Sequence, residues 1–445
     1  MLESVTKAAV ALHRELVKRD TTAPRGELLA ELIEALFFVS LETEEGESIT
    51  LELVYLDPDS PDPSPPPRIR ADRWSCVPLA EVLPLDVPSL VKIAKASDPR
   101  TSSFAVFSGP RGLVIWGLVD QGNLYHEFVN FNSDTGPERP GLFQVSVTGL
   151  GRLVISIGYE TIAEIRLNSI QTRSVDALRL GPLHERIRPG IDSFVATVRS
   201  ALEPYLQSEL RRFSSYLEED WIESLCRILL RAQNYRHGGA VLLFDRVTDP
   251  ELDVKYRIAY PRLRQAIVHK GIQTIQNVGA TESIHALMDA EAEDLPMDLH
   301  LDESVSRYEI EDRQNEIDSA IWFVSLLTRV DGLVLMNPHL EVYGFGVEIT
   351  TKADPPDLWI AEGPHATPKS SKRANYLHFG TRHRSMMRFC GTHPDAAGFV
   401  ISQDGHVRAI ASVDGRLVLW QNLRLQLPDF VRPFRRPGHR LSGEG

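Results

Sequence analysis

Gly380-Thr381-Arg382-His383-Arg384 places three potential cations and a hydroxyl beside a glycine, directly ahead of an apolar-periodic stretch containing Met386, Met387, Phe389 and Cys390. A helix opening there aims free backbone N–H groups and guanidinium forks at one point, the arrangement that grips a polyphosphate. A basic cluster of this kind also serves as a solvated face or as a partner for carboxylates. A second element upstream raises the phosphate reading: Val330-Asp331-Gly332-Leu333-Val334-Leu335-Met336, an Asp-Gly step leading into an apolar strand.

In this order the two elements resemble the signature motifs of the diadenylate cyclase family, the nucleotide-binding domain of the DNA-integrity-scanning proteins. That family pairs an Asp-Gly-Ala motif with a Gly-Thr-Arg-His-Arg motif. The second is intact here, and the first reads Asp331-Gly332-Leu333. His237-Gly238-Gly239-Ala240-Val241-Leu242-Leu243-Phe244 resembles the strand that opens the domain. Gly344-Phe345-Gly346-Val347-Glu348-Ile349 is similar to the strand and turn lining the adenine pocket, and Ala397 to Ser402 to the strand after the Arg-His-Arg helix. The resemblance spans residues 195 to 425.

The chain of 445 residues exceeds a usual single core, which predicts two domains. Its apolar and charged fractions, 42% and 24%, are those of a globular protein. A net charge of −13 argues against a general nucleic-acid binder, while leaving room for a local basic pocket. Cys76, Cys226 and Cys390 lie far apart with no metal-ligand spacing, as in a reduced cytosolic chain. The N-terminus lacks the layout of a signal peptide. The apolar runs at 35–39 and 320–324 fall well short of the ~20 residues of a membrane helix. The expectation is a soluble, cytoplasmic protein with no membrane partner.

Periodicity predicts an α/β (α+β) fold in two parts. In residues 1–190, helical spacing of Val5, Ala9, Leu12 and Leu16, and of Leu29, Leu32, Ile33 and Leu36, predicts two helices. Ile49 to Tyr55 alternates as a half-buried strand, and 57–67 is a proline-dense loop. A hairpin at 104–116 and strands at 142–147, 153–157 and 162–167 complete an α+β domain with an antiparallel sheet. This half carries no phosphate loop, zinc spacing or nucleophile elbow. By position it resembles the sensor domains found ahead of cyclase domains.

Residues 191–445 read as a helix pair from Ile191 to Gln233, a strand at 240–244 with its partner at 254–258, and a helix from Arg262 to Ile275. An acidic loop at 289–303, broken at Pro296, and a helix from Ile310 to Thr328 follow. Asp404-Gly405 and Asp414-Gly415 mark hairpin turns. The predicted result is a mixed sheet flanked by helices, which is also the fold the resemblance implies.

The resemblance implies that two ATP molecules are joined into cyclic di-AMP, a second messenger, with release of two pyrophosphates. Asp331 is implied as the catalytic carboxylate and metal ligand for Mn2+ or Mg2+, which the weak hydroxyl nucleophile and charged phosphates require. Thr381, Arg382, His383 and Arg384 are implied as the phosphate clamp, with Thr381 also able to cap the helix. Gly332, Leu333, Gly346 and Val347 are implied to line the nucleotide, the glycines allowing close backbone approach. One chain supplies one half-site, so the resemblance implies a homo-oligomer, a dimer or higher even-numbered assembly. Leu333 in place of the family's alanine leaves open a catalytically silent, or altered-product, nucleotide-binding sensor.

Overall fold

The computed structural model describes the chain except for residues 1–8, 11, 14–15, 18–21, 61–73, 123–141, 159, 167–168, 172–174, 205, 236, 290–296, 403–405 and 426–445. Val5, most of the proline-dense segment and the Asp404-Gly405 turn therefore lie outside the described residues. The protein is α+β, and it forms two compact units that divide between Ser174 and Val175. The boundary precedes the expected position near 190 because helix 182–201 is continuous. Its buried stripe of Ile187, Ile191, Phe194 and Val198 belongs wholly to the second unit, and a cut at 190 would split it.

In the first unit, α1 (Glu27–Val39) buries Leu29, Leu32, Ile33 and Leu36 against a sheet, as the helical spacing predicts. The strands are β1 (Leu51–Tyr55), β2 (Ser75–Pro84), β3 (Ser102–Gly109), β4 (Gly112–Asp120), β5 (Phe143–Gly149), β6 (Arg152–Ile157), β7 (Glu160–Arg166) and β8 (Ser169–Gln171). Their order is β8-β7-β6-β5-β1-β3-β4-β2. The sheet is mixed rather than antiparallel, since β1 and β3 run parallel, joined by a long crossover through β2. β1 is buried along its whole length rather than half-buried. Leu51 and Leu53 face the α1 cluster, while Val54 packs with Trp74 and Trp116 on the other side. Glu52 tolerates this burial because Gln144 Nε2 (2.6 Å), Ser146 Oγ (2.7 Å) and Gln121 Nε2 (3.0 Å) all donate to its carboxylate.

The second unit contains α2 (Pro182–Ala201), α3 (Gln207–Asn234), β9 (Gly239–Leu243), β10 (Leu252–Tyr260), α4 (Arg262–Asp289) and α5 (Met297–Leu327). There follow β11 (Leu333–Met336), β12 (Val342–Ile349), β13 (Leu358–Ala361), β14 (Ser371–Ala374), α6 (Thr381–Thr392), β15 (Ala397–Ile401), β16 (Val407–Val413) and β17 (Arg416–Trp420). The nine-stranded order is β10-β12-β11-β9-β15-β16-β17-β13-β14. The expected pairing of 240–244 with 254–258 does not form: β9 sits between β11 and β15, and β10 pairs with β12 at the edge. Helices α4 and α5 pack along each other and are longer than expected, so 297–303 is helical rather than loop. Asp414-Gly415 forms the expected turn, both residues at positive φ, joining Val413 to its partner Arg416.

The centre of the sheet is apolar on both faces. Ala240 and Leu242 of β9 join Val400, Ile410 and Leu419 beneath α6, whose Met386, Met387, Phe389 and Cys390 are fully buried. Val241 and Leu243, equally buried, face the opposite side by the period-two rule, and α2 and α3 contact β15. Burial pushes the Cys390 thiol up to about 12, so it stays neutral and acts as a small apolar group.

Gly398 lets α6 lie close to the sheet. A Cβ there would stand 2.3 Å from Met386 Sδ and 3.1 Å from Cys390 Sγ. Gly398→Val should therefore lift α6 and lower stability by about 1–3 kcal/mol. Gly363→Val, where a Cβ meets nothing within 4 Å, should change it by less than about 0.5 kcal/mol. Equilibrium urea unfolding of the two variants checks the difference.

Candidate functional site

Helix α6 begins without a side-chain cap. Gly380 is the N-cap in extended conformation, and the first intrahelical bond runs from Arg384 N–H to Gly380 O at 3.0 Å. The N–H groups of Thr381, Arg382 and His383 thus have no acceptor within the helix. Thr381 is the first helical residue and does not act as a cap, in contrast to the sequence expectation. These N–H groups, with the positive end of the helix dipole, suit an anion.

They open onto a cavity of about 590 Å³, whose walls are Gly380 to His383, Gly332-Leu333, Val347 to Ile349 and Val400 to Ser402, with Ala240, Ser385 and Met386. That volume is in the range of small-molecule sites. The two motifs, separate in sequence, therefore form walls of one cavity. They meet because β11 pairs in parallel with β9, β15 pairs with β9 on its other side, and α6 leads into β15.

The Asp-Gly step is held by a close backbone crossing. Gly332 has φ +108°, and a Cβ on it would lie 2.6 Å from Gly346 C and 2.8 Å from Val347 N. Gly346, at φ +61°, faces the Tyr256 ring in turn, which stacks on Phe345 at 4.8 Å between centroids. Only glycine permits both the left-handed backbone and the approach. Asp331 is exposed in the bend before β11, not within a strand, and is not a wall residue of the cavity. It stands one residue from Gly332, on the cavity's rim.

The basic residues divide. Arg382 is half-buried and lines the cavity. His383 also lines it but is 8% exposed, and its Nε2 accepts from Arg408 Nη1 at 2.9 Å while the ring packs on Phe379. Its Nε2 is therefore an acceptor rather than a phosphate donor, and the ring braces the first turn. Arg384 lies on another side of the helix and is not a wall residue; its Nε is buried without a partner among the described residues. Of the sequence-derived set, Gly332, Leu333, Val347, Thr381, Arg382 and His383 share the cavity, whereas Asp331, Gly346 and Arg384 flank it.

Sequence reading placed Glu348 in a pocket-lining strand but missed Ala240, Ser385, Val400, Ser402 and the supporting Arg408. Strand register and helix phase bring them in, and neither leaves a local motif. Glu348 pairs with Lys255, whose ammonium it holds above the usual range. Among the described residues, no group of three His, Cys, Asp or Glu donors includes Asp331. One carboxylate still suits Mg2+ or Mn2+ when substrate phosphates complete the shell.

Residues 18–120 match the family described as "Probable sensor domain DACNV". The match lies within the first unit and ends with β4. No curated protein matches the chain. Among the described residues, no helix is long and apolar enough to cross a membrane.

The crossing at Gly332 gives a direct test of the site's construction. Gly332→Ala should cost about 1–3 kcal/mol in urea unfolding from backbone strain alone, with the overlap on Gly346 adding to it. It should also weaken binding of inorganic triphosphate, measured by calorimetry.

Proposed function

We propose that the second unit is a diadenylate cyclase that binds ATP in the cavity at the start of α6, under the influence of the sensor domain ahead of it. The observation that carries this reading is the uncapped first turn of α6, with Arg382, facing the Gly332-Leu333 wall across one cavity. A triphosphate occupies the N–H groups of the first turn, and Arg382 adds charge-assisted bonds. The glycine crossing lets backbone approach the nucleoside closely.

In this reading each ATP 3′-oxygen forms a bond to the α-phosphorus of the other ATP. The bond from that phosphorus to pyrophosphate breaks, and the hydroxyl proton passes to base or water. Two such steps yield cyclic di-AMP and two pyrophosphates. Because the Asp331-Gly332-Leu333 and Gly380-to-Arg384 motifs each occur once in the chain, two chains face each other to bring both nucleotides together. Asp331, exposed and adjacent to the wall residue Gly332, serves the facing nucleotide's hydroxyl in this reading. Asp331, with the substrate phosphates, would hold Mn2+ or Mg2+, which would supply charge neutralisation and acidify the attacking hydroxyl.

Leu333 favours a second reading. Its side chain is only 5% exposed, belongs to the core beneath α6 and also forms cavity wall. Bulk at that wall narrows the room for a second nucleotide and suits a nucleotide-binding sensor with little turnover, or with an altered product.

Incubation with ATP and Mn2+ or Mg2+, followed by mass spectrometry, should detect cyclic di-AMP from the natural chain and none from Asp331→Asn. Equal product from that variant contradicts the catalytic assignment; ATP binding without product selects the sensor reading. Calorimetry should show about tenfold to hundredfold weaker ATP binding for Arg382→Ala, the loss of a contact worth ~1.5–3 kcal/mol. Arg384→Ala should lose less, because its side chain does not form the cavity wall.

A further inference from the structure

Asp249, Glu251 and His393 converge outside the nucleotide cavity, one potential ligand atom of each lying within 4.8 Å of the others. None of the three is a cavity wall residue. Asp249 and Glu251 come from the segment entering β10, and His393 is the C-cap of α6. Helical rise puts His393 about 16 Å along α6 from Arg382.

The imidazole is held rigidly. It stacks on Phe389 at 4.1 Å and 13°, and meets the Phe244 ring edge-on at 5.3 Å. Its Nδ1 lies 3.1 Å from Phe389 O and 3.0 Å from Thr392 Oγ1. Donation from Nδ1–H to the Phe389 carbonyl leaves Nε2 as a lone pair, and this lone pair faces Asp249 Oδ2 at 3.3 Å. In that tautomer a positive species joins the two atoms; in the other neutral tautomer Nδ1 accepts from Thr392 Oγ1 and Nε2–H donates to Asp249 directly.

Two cations are possible there, a proton or a metal ion, and the surroundings favour the metal. A carbonyl on one ring nitrogen is the arrangement that orients a metal-binding histidine through the other. Ligands at 2.0–2.1 Å from a tetrahedral ion stand about 3.3 Å apart, the separation of His393 Nε2 from Asp249 Oδ2. A second carboxylate, Glu251, lies on the Nδ1 side of the ring, its Oε2 3.7 Å from Nδ1 and accepting from Thr351 Oγ1 at 2.7 Å, so Oε1 is the oxygen left to turn toward the ion. Asp249 Oδ1 is fixed by the Glu251 N–H at 3.0 Å, leaving Oδ2 for the site. The nearby cation Arg246 is engaged by Asp395 at 2.9 Å.

We propose that Asp249, Glu251 and His393 bind a divalent transition ion, Zn2+ before Mn2+, tying the C-terminal end of α6 to the segment that enters β10. One imidazole and two carboxylates make a donor set suited to Zn2+, and at equal geometry Zn2+ binds more tightly than Mn2+. The inference is independent of the cyclase reading.

Nucleotide-free full-length protein, stripped with chelator and titrated with Zn2+ by calorimetry, tests it. One equivalent should bind at this site, and Asp249→Asn and His393→Gln should each weaken it by more than about tenfold, while Asp331→Asn leaves it unchanged. Co2+ in place of Zn2+ should give visible ligand-field bands that both ligand variants lose. Circular dichroism checks the fold of each variant; if His393→Gln unfolds, Asp249→Asn and Glu251→Gln decide the matter. No stoichiometric Zn2+ uptake, or equal uptake by the folded variants, overturns the proposal and leaves His393 simply hydrogen-bonded to Asp249.

Discussion

The close seat of α6 on β15 is the constraint on which the second unit depends. Gly398 offers no side chain, so Met386 and Cys390 fill the space a Cβ would occupy. This seat fixes where the helix begins. Because no side chain caps that beginning, the orphaned N–H groups face the cavity rather than being satisfied internally. The burial of Met386, Met387, Phe389 and Cys390 supplies the stability that an uncapped helix lacks.

The same helix carries polar chemistry at both ends. Its first turn presents Arg382 to the cavity, with His383 braced by Arg408 behind it. Its last turn holds His393 against Phe389, opposite Asp249 and Glu251. Between these ends the helix is anchored by its fully buried apolar face. On the far side of the cavity, the crossing of Gly332 and Gly346 sets the position of Asp331 with equal rigidity.

Much of this was legible in the sequence. The Gly-Thr-Arg-His-Arg run announced the start of α6, and the Asp-Gly step announced the turn into β11. The hydrophobic spacing of α1 and the hairpin at 104–116 also appear as read. What escaped was long-range. Glu52 reads as a solvent-facing residue, yet amide and hydroxyl donors from distant strands bury it. The order of β9, β10 and β12 depends on pairings that a local pattern does not encode. Proximity in sequence also misled: Arg384 adjoins His383 but is not a cavity wall residue, while Ala240 reaches the cavity from a strand far away in the chain. Asp249, Glu251 and His393 lie too far apart in the chain to show metal-ligand spacing.

In the proposed cyclase the Asp331-Gly332 turn and the first turn of α6 form a single nucleotide site. A crystal structure of the full chain with a non-hydrolysable ATP analogue and Mn2+ tests this most directly. The account predicts phosphate oxygens on the N–H groups of Thr381 to His383 and on the Arg382 guanidinium, with the ribose beside Gly332. Nucleotide bound elsewhere, or a first turn of α6 left to solvent in the complex, would contradict it.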